Sequence, residues 1–207
     1  MRQRKLLFLL AAIACVSGCQ KAPEQVWMST PELDISFDLT DENGNRATSD
    51  SFSGRLRLVF FGFASCPDIC PVTLQNIGIA LKSLGPLAEQ VTVLFVSVDP
   101  KRDTPDVLKD YTDAFHPSII GLTGTHDQLS EVTSGFRTTF GYTMTTEDGQ
   151  ELPLSREQYE ELPDSANYFP YHSSKVYLIG RKDELLDLIG YGSKPAQIEE
   201  KLRIYLD

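Results

Sequence analysis

Two long apolar runs constrain the fold of this chain most strongly. Residues 56–63 (LRLVFFGF) and 91–98 (VTVLFVSV) contain few polar side chains, and each is followed by a segment with helical spacing. Continuous runs of this kind are typical of strands that are buried on both faces of a sheet. The pattern therefore predicts an α/β fold in which helices cover a central sheet.

The segments around these strands complete the predicted topology. Alternating apolar and polar residues around Asn43-Gly44 predict an N-terminal β-hairpin, and residues 176–192 predict a second hairpin near the C-terminus. We expect residues 140–170 to be an irregular insertion with a hairpin at 147–149. The order matches a thioredoxin-like fold with a central mixed sheet flanked by helices. The predicted helices are 70–84, 105–115, 126–138 and 195–205, and a short strand is predicted at 119–124.

The first eighteen residues have the features of a secretory signal peptide. Three basic residues precede an uncharged apolar run that is too short for a comfortable membrane span. The run ends at Val16-Ser17-Gly18-Cys19, which resembles the lipobox of bacterial lipoproteins. We expect residues 1–18 to be removed, residues 19–32 to form a lipidated tether that begins at Cys19, and residues 33–207 to form the folded domain.

This leader also predicts where the protein works. The expected mature protein is a membrane-anchored lipoprotein that faces the periplasm or another extracytoplasmic space, where soft metals and disulfides can be handled. An ordinary signal peptide with an incidental Cys19 is the alternative. The formal net charge of −10 and the pI near 4.8 argue against nucleic acid as a partner.

Cys66 and Cys70 are the two thiols that remain after the predicted processing. They lie between the first apolar strand and the helix predicted at 70–84, where the positive end of the helix dipole favours a thiolate. A disulfide between them would close a very short loop and would stabilise the fold little. We therefore expect chemistry, either thiol–disulfide exchange or binding of a soft metal.

A metal site needs donors beyond two sulfurs, and the chain has three histidines. His116 lies near the end of one predicted helix and His126 near the start of another, so both are expected at the surface. His172 directly precedes the strand predicted at 176–180, near the edge of the sheet that carries the cysteines. His172 is therefore the candidate third ligand.

Four blocks of sequence, in order, resemble the SCO/SenC family of thioredoxin-fold copper proteins. They are FGFASCPDICPVTL (61–74), FVSVDPKRDTP (95–105), FHPSIIGLTGT (115–125) and His172-Ser173 before VYLIG. Together they extend over most of residues 33–205, and the combination of CPDICP with SVDPKRDTP is highly specific. The resemblance implies a thioredoxin-like fold and a role in assembling cytochrome c oxidase.

The resemblance also implies roles for particular residues. It implies Cys66, Cys70 and His172 as copper ligands and the two cysteines as a redox couple that carries any catalysis. Asp99 matches an acidic residue near the metal, either a weak ligand or a neighbour of the ligands, and the alternative is a turn residue at the strand end before Pro100. The expected function is delivery of Cu(I) or Cu(II) to the dinuclear copper centre of the oxidase, and the alternative is a thiol–disulfide oxidoreductase. Expected partners are the copper-bearing oxidase subunit and a thiol–disulfide oxidoreductase or another copper chaperone.

Two residues depart from the family pattern. Tyr171 stands where the family usually has an aspartate before the histidine, and Ala64 stands where a threonine is common. A carboxylate beside a ligating histidine can fix its tautomer, so the change at Tyr171 bears on the copper affinity and on the choice of client. We expect Asp68 to cap the cysteine loop and Lys101, Arg102 and Asp103 to order the turn after the second strand, or to form a partner surface.

Overall fold

The computed structural model describes residues 33–163 and 165–206. The predicted signal peptide, the Cys19 lipidation site and the tether lie outside the described residues. Within the described residues, no helix has both the length and the apolar character needed to cross a bilayer.

Ten strands and five α-helices make up the described fold. The strands are β1 (Asp38–Asp41), β2 (Arg46–Thr48), β3 (Leu56–Gly62), β4 (Val91–Ser97), β5 (Ile119–Thr123), β6 (Phe140–Thr145), β7 (Glu151–Leu154), β8 (Tyr168–His172), β9 (Val176–Ile179) and β10 (Leu185–Ile189). The helices are α1 (Ile69–Leu84), α2 (Pro105–Asp113), α3 (His126–Gly135), α4 (Arg156–Glu161) and α5 (Pro195–Arg203), with 3₁₀ turns at Ser49–Phe52 and Gly85–Gln90.

Seven of the strands form one mixed sheet in the order β10-β9-β3-β4-β5-β1-β2. The three central strands, β3, β4 and β5, are parallel, and their neighbours on both sides are antiparallel. Every residue of β3 and β4 is buried, as the two apolar runs predict. The predicted α/β class with a central mixed sheet is therefore confirmed, as are the hairpins β1–β2 and β9–β10.

Helices cover both faces of this sheet. Leu58 and Phe60 of β3 point to one face, where they pack against α1, α2 and α5. Val59 and Phe61 point to the other face, where they pack with Leu129 and other residues of α3. Because helices cover both faces of the sheet, the parallel strands β3 and β4 are accessible only at their ends. The candidate site lies at their carboxyl ends.

The prediction that residues 140–170 are irregular is wrong. The expected hairpin at 147–149 exists, but it belongs to a three-stranded antiparallel sheet in the order β7-β6-β8, with α4 packed beside it. Tyr142, Tyr159 and Tyr168 form a small separate core, in which the Tyr142 and Tyr159 rings stack at 3.6 Å. The strands are short and two of them contain a proline, so tertiary contacts between aromatic rings, rather than local periodicity, define this sheet.

Candidate metal centre

The two cysteines lie where β3 gives way to α1. Cys70 is in the first turn of α1 and is fully buried, whereas Cys66 lies in the preceding loop and is half-buried. Both are free thiols. Pro71 follows Cys70 within the first turn, where a missing backbone N–H costs nothing. The strand–loop–helix placement predicted from the sequence is confirmed.

Gly62, the last residue of β3, lets the Cys70 sulfur approach the strand closely. A Cβ atom at position 62 would lie 2.7 Å from Cys70 Sγ and 2.6 Å from Cε2 of Phe95. Both distances are shorter than ordinary van der Waals contacts, so a side chain at this position would displace the sulfur or the ring. Sequence reasoning missed this role, although a glycine inside a buried strand is a known sign of close approach.

His172 is the last residue of β8, so it is held by a strand rather than by the loop expected from the sequence. Its Nε2 atom lies 3.4 Å from Cys70 Sγ. The donor atoms of Cys66, Cys70 and His172 all lie within 4.8 Å of one another. Across the part of the chain that the structure describes, no other three Cys, His, Asp or Glu side chains gather in this way.

The tautomer of His172 follows from its backbone contact. Nδ1 lies 3.0 Å from the carbonyl oxygen of Ser173, and since a carbonyl can only accept, Nδ1 carries the proton and donates. In the neutral ring Nε2 then has a free lone pair on the side of the sulfurs, which is the form that ligates metals. The Ser173 carbonyl thus fixes the His172 tautomer, as an aspartate at position 171 could. The ligating tautomer is therefore present although residue 171 is a tyrosine.

The two thiols have opposite electrostatic environments. The Cys70 thiol donates a hydrogen bond to the Cys66 sulfur, and this bond holds the pKa of Cys66 far below its ordinary value. The same hydrogen bond and burial raise the pKa of Cys70. Cys66 is therefore the reactive thiolate, and Cys70 is a protonated thiol held beneath it.

An apolar cleft opens beside the donor atoms. Its volume is about 220 Å³, and Asp68 is the one carboxylate among the residues that line it. Phe169 and Tyr171, on the outward face of β8, are about half exposed. A second molecule can therefore reach Cys66 and His172 from this side. The other lining residues are Phe63, Pro67, Ile69 and Pro170.

The remaining histidines lie elsewhere, and their predicted surface positions are wrong in part. His116 is half-buried, and its Nδ1 atom accepts a hydrogen bond from the Ser118 N–H at 3.1 Å. His126 is half-buried because the first turn of α3 packs on the small sheet, with its ring against those of Phe140 and Tyr142. Neither belongs to the three-donor group.

Asp99 lies two residues after the end of β4 and does not join the donor group. Its carboxylate is fully buried, accepting from the Tyr168 hydroxyl and from Nε of Arg102, each at 2.5 Å. With its two oxygens engaged in this way, Asp99 contacts the strand that carries His172 rather than the three donor atoms themselves. This arrangement favours a role as a neighbour of the ligands over direct ligation.

Asp103 is a functional candidate for which the sequence predicts a role in the turn or in a partner surface. Its side chain is buried, and Oδ2 accepts from the Ser97 hydroxyl at 2.5 Å and from the Ala64 N–H at 2.9 Å. Burial raises the pKa of this carboxyl to about 6. The motif SVDPKRDTP marks the residue in the sequence, but only the fold shows that it holds the cysteine loop.

The expectation that the Asp68 side chain caps the cysteine loop is wrong. Asp68 occupies the N-cap position of α1, but its carboxylate makes no cap hydrogen bond and is exposed. The prediction that Lys101 and Arg102 order the turn is confirmed. Lys101 Nζ donates to the backbone carbonyls of Glu160 and Leu162, which ties the turn to the end of α4.

Comparison with known proteins gives a consistent result. The family model described as SCO1/SenC matches residues 28–207. The chain is 33% identical over 197 residues to the SCO2-like protein of Rickettsia felis, covering 95% of this chain and 88% of that protein. It is 35% identical over 168 residues to the mitochondrial protein SCO2 of Saccharomyces cerevisiae, covering 81% of this chain and 50% of that protein.

Solved structures of similar proteins include copper-bound forms. ScoI of Bradyrhizobium japonicum with copper bound is 31% identical, with a TM-score of 0.67 over 82% of this chain and 97% of that one. Yeast Sco1 with copper bound is also 31% identical, with a TM-score of 0.70 over 85% of this chain and 89% of that one. The four sequence blocks, the mixed sheet and these matches lead to one conclusion: the chain belongs to the SCO1/SenC family.

Proposed function

We propose that this protein binds copper as cargo through Cys66, Cys70 and His172 and delivers it to the dinuclear copper centre of cytochrome c oxidase. The convergence of two sulfurs and an imidazole nitrogen within 4.8 Å carries the proposal. Thiolates are soft ligands that select Cu(I), and an added imidazole also suits Cu(II). The copper-bound relatives, each 31% identical to this chain, support the choice of metal.

The geometry suits a carrier of copper better than a permanent copper site. Three protein donors leave the metal open to an incoming ligand, and Cys66 and His172 both line the apolar cleft at the surface. An acceptor protein can therefore approach and exchange ligands one at a time. Binding displaces a proton from Cys70, because the ligating form is the thiolate. The copper-bearing oxidase subunit is the proposed acceptor.

A second candidate function is reduction of disulfides in a client protein, and the asymmetry of the two thiols favours it. The Cys66 thiolate would attack a client disulfide, forming a mixed disulfide and releasing one client thiolate. Cys70 would then lose its proton and attack Cys66, releasing the second client thiol and leaving a Cys66–Cys70 disulfide. Two electrons pass to the client, which could be the oxidase cysteines before they receive copper.

The proposed location follows from the N-terminal sequence. We propose that the chain is cleaved before Cys19 and anchored to a membrane by lipid on that residue, facing an extracytoplasmic space. The support is the basic start, the apolar run and the Val16-Ser17-Gly18-Cys19 sequence. Intact-mass measurement of the protein purified from its own membranes tests this. A lipid adduct on Cys19 is expected, and a mature chain that starts elsewhere without lipid would overturn the proposal.

Copper titration of the reduced protein tests the main function. The wild type should bind one copper per chain, with a sulfur-to-Cu(II) charge-transfer band in the Cu(II) form. His172→Ala and the double variant Cys66→Ser/Cys70→Ser should each lose tight binding and the band. His116→Ala is the matched control, since His116 lies outside the donor group. Wild-type protein that binds no copper under reducing conditions would overturn the proposal.

The two candidate functions separate at His172. Disulfide reduction needs only the sulfurs, so His172→Ala should keep most of its rate of reaction with a model disulfide while losing copper. Both measurements are made on the same preparation, with circular dichroism to check folding. Equal loss of both activities would show that His172 serves the fold or the thiols rather than a metal.

A further inference from the structure

The loop between β4 and α2, residues 98–104, runs beside both halves of the metal centre. β4 is the parallel neighbour of β3, and Ser97 pairs with Gly62 at the end of the ladder. The Val98 N–H donates to the Gly62 carbonyl at 2.8 Å, which continues this pairing one residue further. The loop therefore starts next to the segment that leads to the cysteines.

One end of this loop holds the cysteine segment. The Asp103 carboxylate accepts from the Ala64 N–H, two residues before Cys66, and from the Ser97 hydroxyl. Asp103 is itself fixed, because its backbone N–H donates to the Asp99 carbonyl at 2.9 Å. Asp103 is also 99% buried, with only 1% of its surface exposed, so water does not compete for these hydrogen bonds.

Two further residues of the loop, Asp99 and Arg102, hold the strand that carries His172. Tyr168, the first residue of β8, donates its hydroxyl proton to Asp99. The Arg102 guanidinium lies 4.0 Å from the centre of the Tyr168 ring and donates to the Tyr168 carbonyl at 3.3 Å. Tyr168 and His172 are four residues apart on one strand, so their side chains share a face of it.

We propose that residues 98–104 act as a bracket that sets the distance between the sulfurs and His172, and that Tyr168 is the positioning residue for this histidine. The cysteines follow β3 of the large sheet, whereas His172 ends β8 of the small one. Those two sheets share no strand pairing among the described residues. Residues 173–175 connect β8 to β9 of the large sheet, and the His172 ring contacts Phe60 and Phe63, so the bracket adds to these contacts in fixing the separation. This proposal rests on the proposed copper site, because the thiol reaction does not require His172.

The bracket predicts that copper binding and thiol chemistry can be separated at a residue that touches no metal. Tyr168→Phe keeps the ring and its stacking but removes the hydrogen bond to Asp99. Loss of partners that orient metal ligands typically costs 10–100-fold in affinity, and we expect a loss of about 10-fold here. The rate of disulfide reduction should stay within about two-fold of the wild type, because Cys66 and Cys70 are held by Asp103 and Gly62 instead.

The test compares Tyr168→Phe with Tyr191→Phe, which removes a hydroxyl from a half-exposed ring outside the bracket. Cu(I) affinity is measured by chelator competition, and nitrogen hyperfine coupling is measured by pulsed EPR of the Cu(II) form. Weaker binding with altered nitrogen coupling in Tyr168→Phe alone supports the bracket. Unchanged affinity and coupling, or an equal loss of disulfide reduction, would overturn it.

A second variant covers the case in which Tyr168→Phe destabilises the small sheet. Arg102→Met removes the cation over the Tyr168 ring and the bond to its carbonyl, while its side chain still covers the ring. It should also weaken copper binding and leave the thiol reaction intact, and normal copper binding by a folded Arg102→Met protein would contradict the bracket. Failure of the proposed function looks different, since His172→Ala would then bind copper as tightly as the wild type.

Discussion

The two halves of the site are built by two different parts of the fold. The cysteines come from the large sheet, at the junction of a fully buried strand and a helix of sixteen residues. The histidine comes from a three-stranded sheet with short, partly exposed strands. The sulfur half of the site consists of Cys66 and Cys70, and the imidazole half consists of His172. A buried sulfur half and a more exposed imidazole half suit a protein that binds a metal and then releases it, because the histidine can leave the metal while the two sulfurs remain bound.

The comparison is sharpest in the reactivity of the two thiols. Cys66 has a lowered pKa and is half-buried, while Cys70 has a raised pKa and is fully buried. At neutral pH, iodoacetamide should modify Cys66 at least about 100-fold faster than Cys70, and the Cys66 rate should remain high as the pH falls well below 8. Mass spectrometry after timed quenching measures both rates. Equal modification of the two cysteines would contradict the assignment of Cys66 as the thiolate.

Gly62→Ala should disturb the sulfur half and leave the imidazole half intact. The new methyl group overlaps Cys70 Sγ and Phe95, and overpacking of this kind costs about 1–3 kcal/mol in free energy of unfolding. Copper affinity should fall with it, because the Cys70 sulfur must move. Chemical denaturation and copper competition measure the two effects.

A double-mutant cycle identifies the atom responsible. If the clash is with the sulfur, Gly62→Ala should cost less in a Cys70→Ala background, where Sγ is absent. Gly190→Ala is the control, because a Cβ there meets nothing within 4 Å. An identical cost in both backgrounds would assign the effect to Phe95.

Asp103, which holds the cysteine loop, should make the free energy of unfolding depend on pH. The variant Asp103→Asn tests this. The pKa of this carboxyl is raised from 3.8 to about 6, so the folded state binds the proton more tightly than the unfolded state. Its contribution to stability is complete below about pH 4 and is lost as the pH rises through 6. The free energy of unfolding of the wild type should therefore fall relative to Asp103→Asn by about 2 kcal/mol between pH 4 and pH 7.5. Parallel denaturation curves across this range would contradict the burial of an ionising carboxyl.

The smallest effect is expected on the imidazole half, at Tyr171. Restoring the family's aspartate by Tyr171→Asp should change copper affinity by less than about 3-fold, since the Ser173 carbonyl already fixes the His172 tautomer. Tyr171→Ser serves as the control for loss of the half-exposed ring. A gain of 10-fold or more in Tyr171→Asp alone would show that the backbone carbonyl is an inadequate substitute.

The sequence predicted the large sheet and the sulfur half better than the rest. Buried parallel strands leave continuous apolar runs, and the Cys66–Cys70 spacing at a helix start has a direct physical meaning. The small sheet was missed because stacking of Tyr142 on Tyr159 is a contact between residues far apart in sequence. The roles of Asp99 and Asp103 do not follow from the sequence for the same reason, since their partners Tyr168 and Ala64 are far from them along the chain.

The central claim is that both halves of the site bind the same copper ion. X-ray absorption spectroscopy of the Cu(I)-loaded protein, beside His172→Ala, tests this most directly because it counts sulfur and nitrogen ligands. The account predicts two sulfurs and one imidazole nitrogen in the wild type, with the nitrogen signal lost in the variant. A copper shell of sulfur alone, identical in the two proteins, would contradict the account.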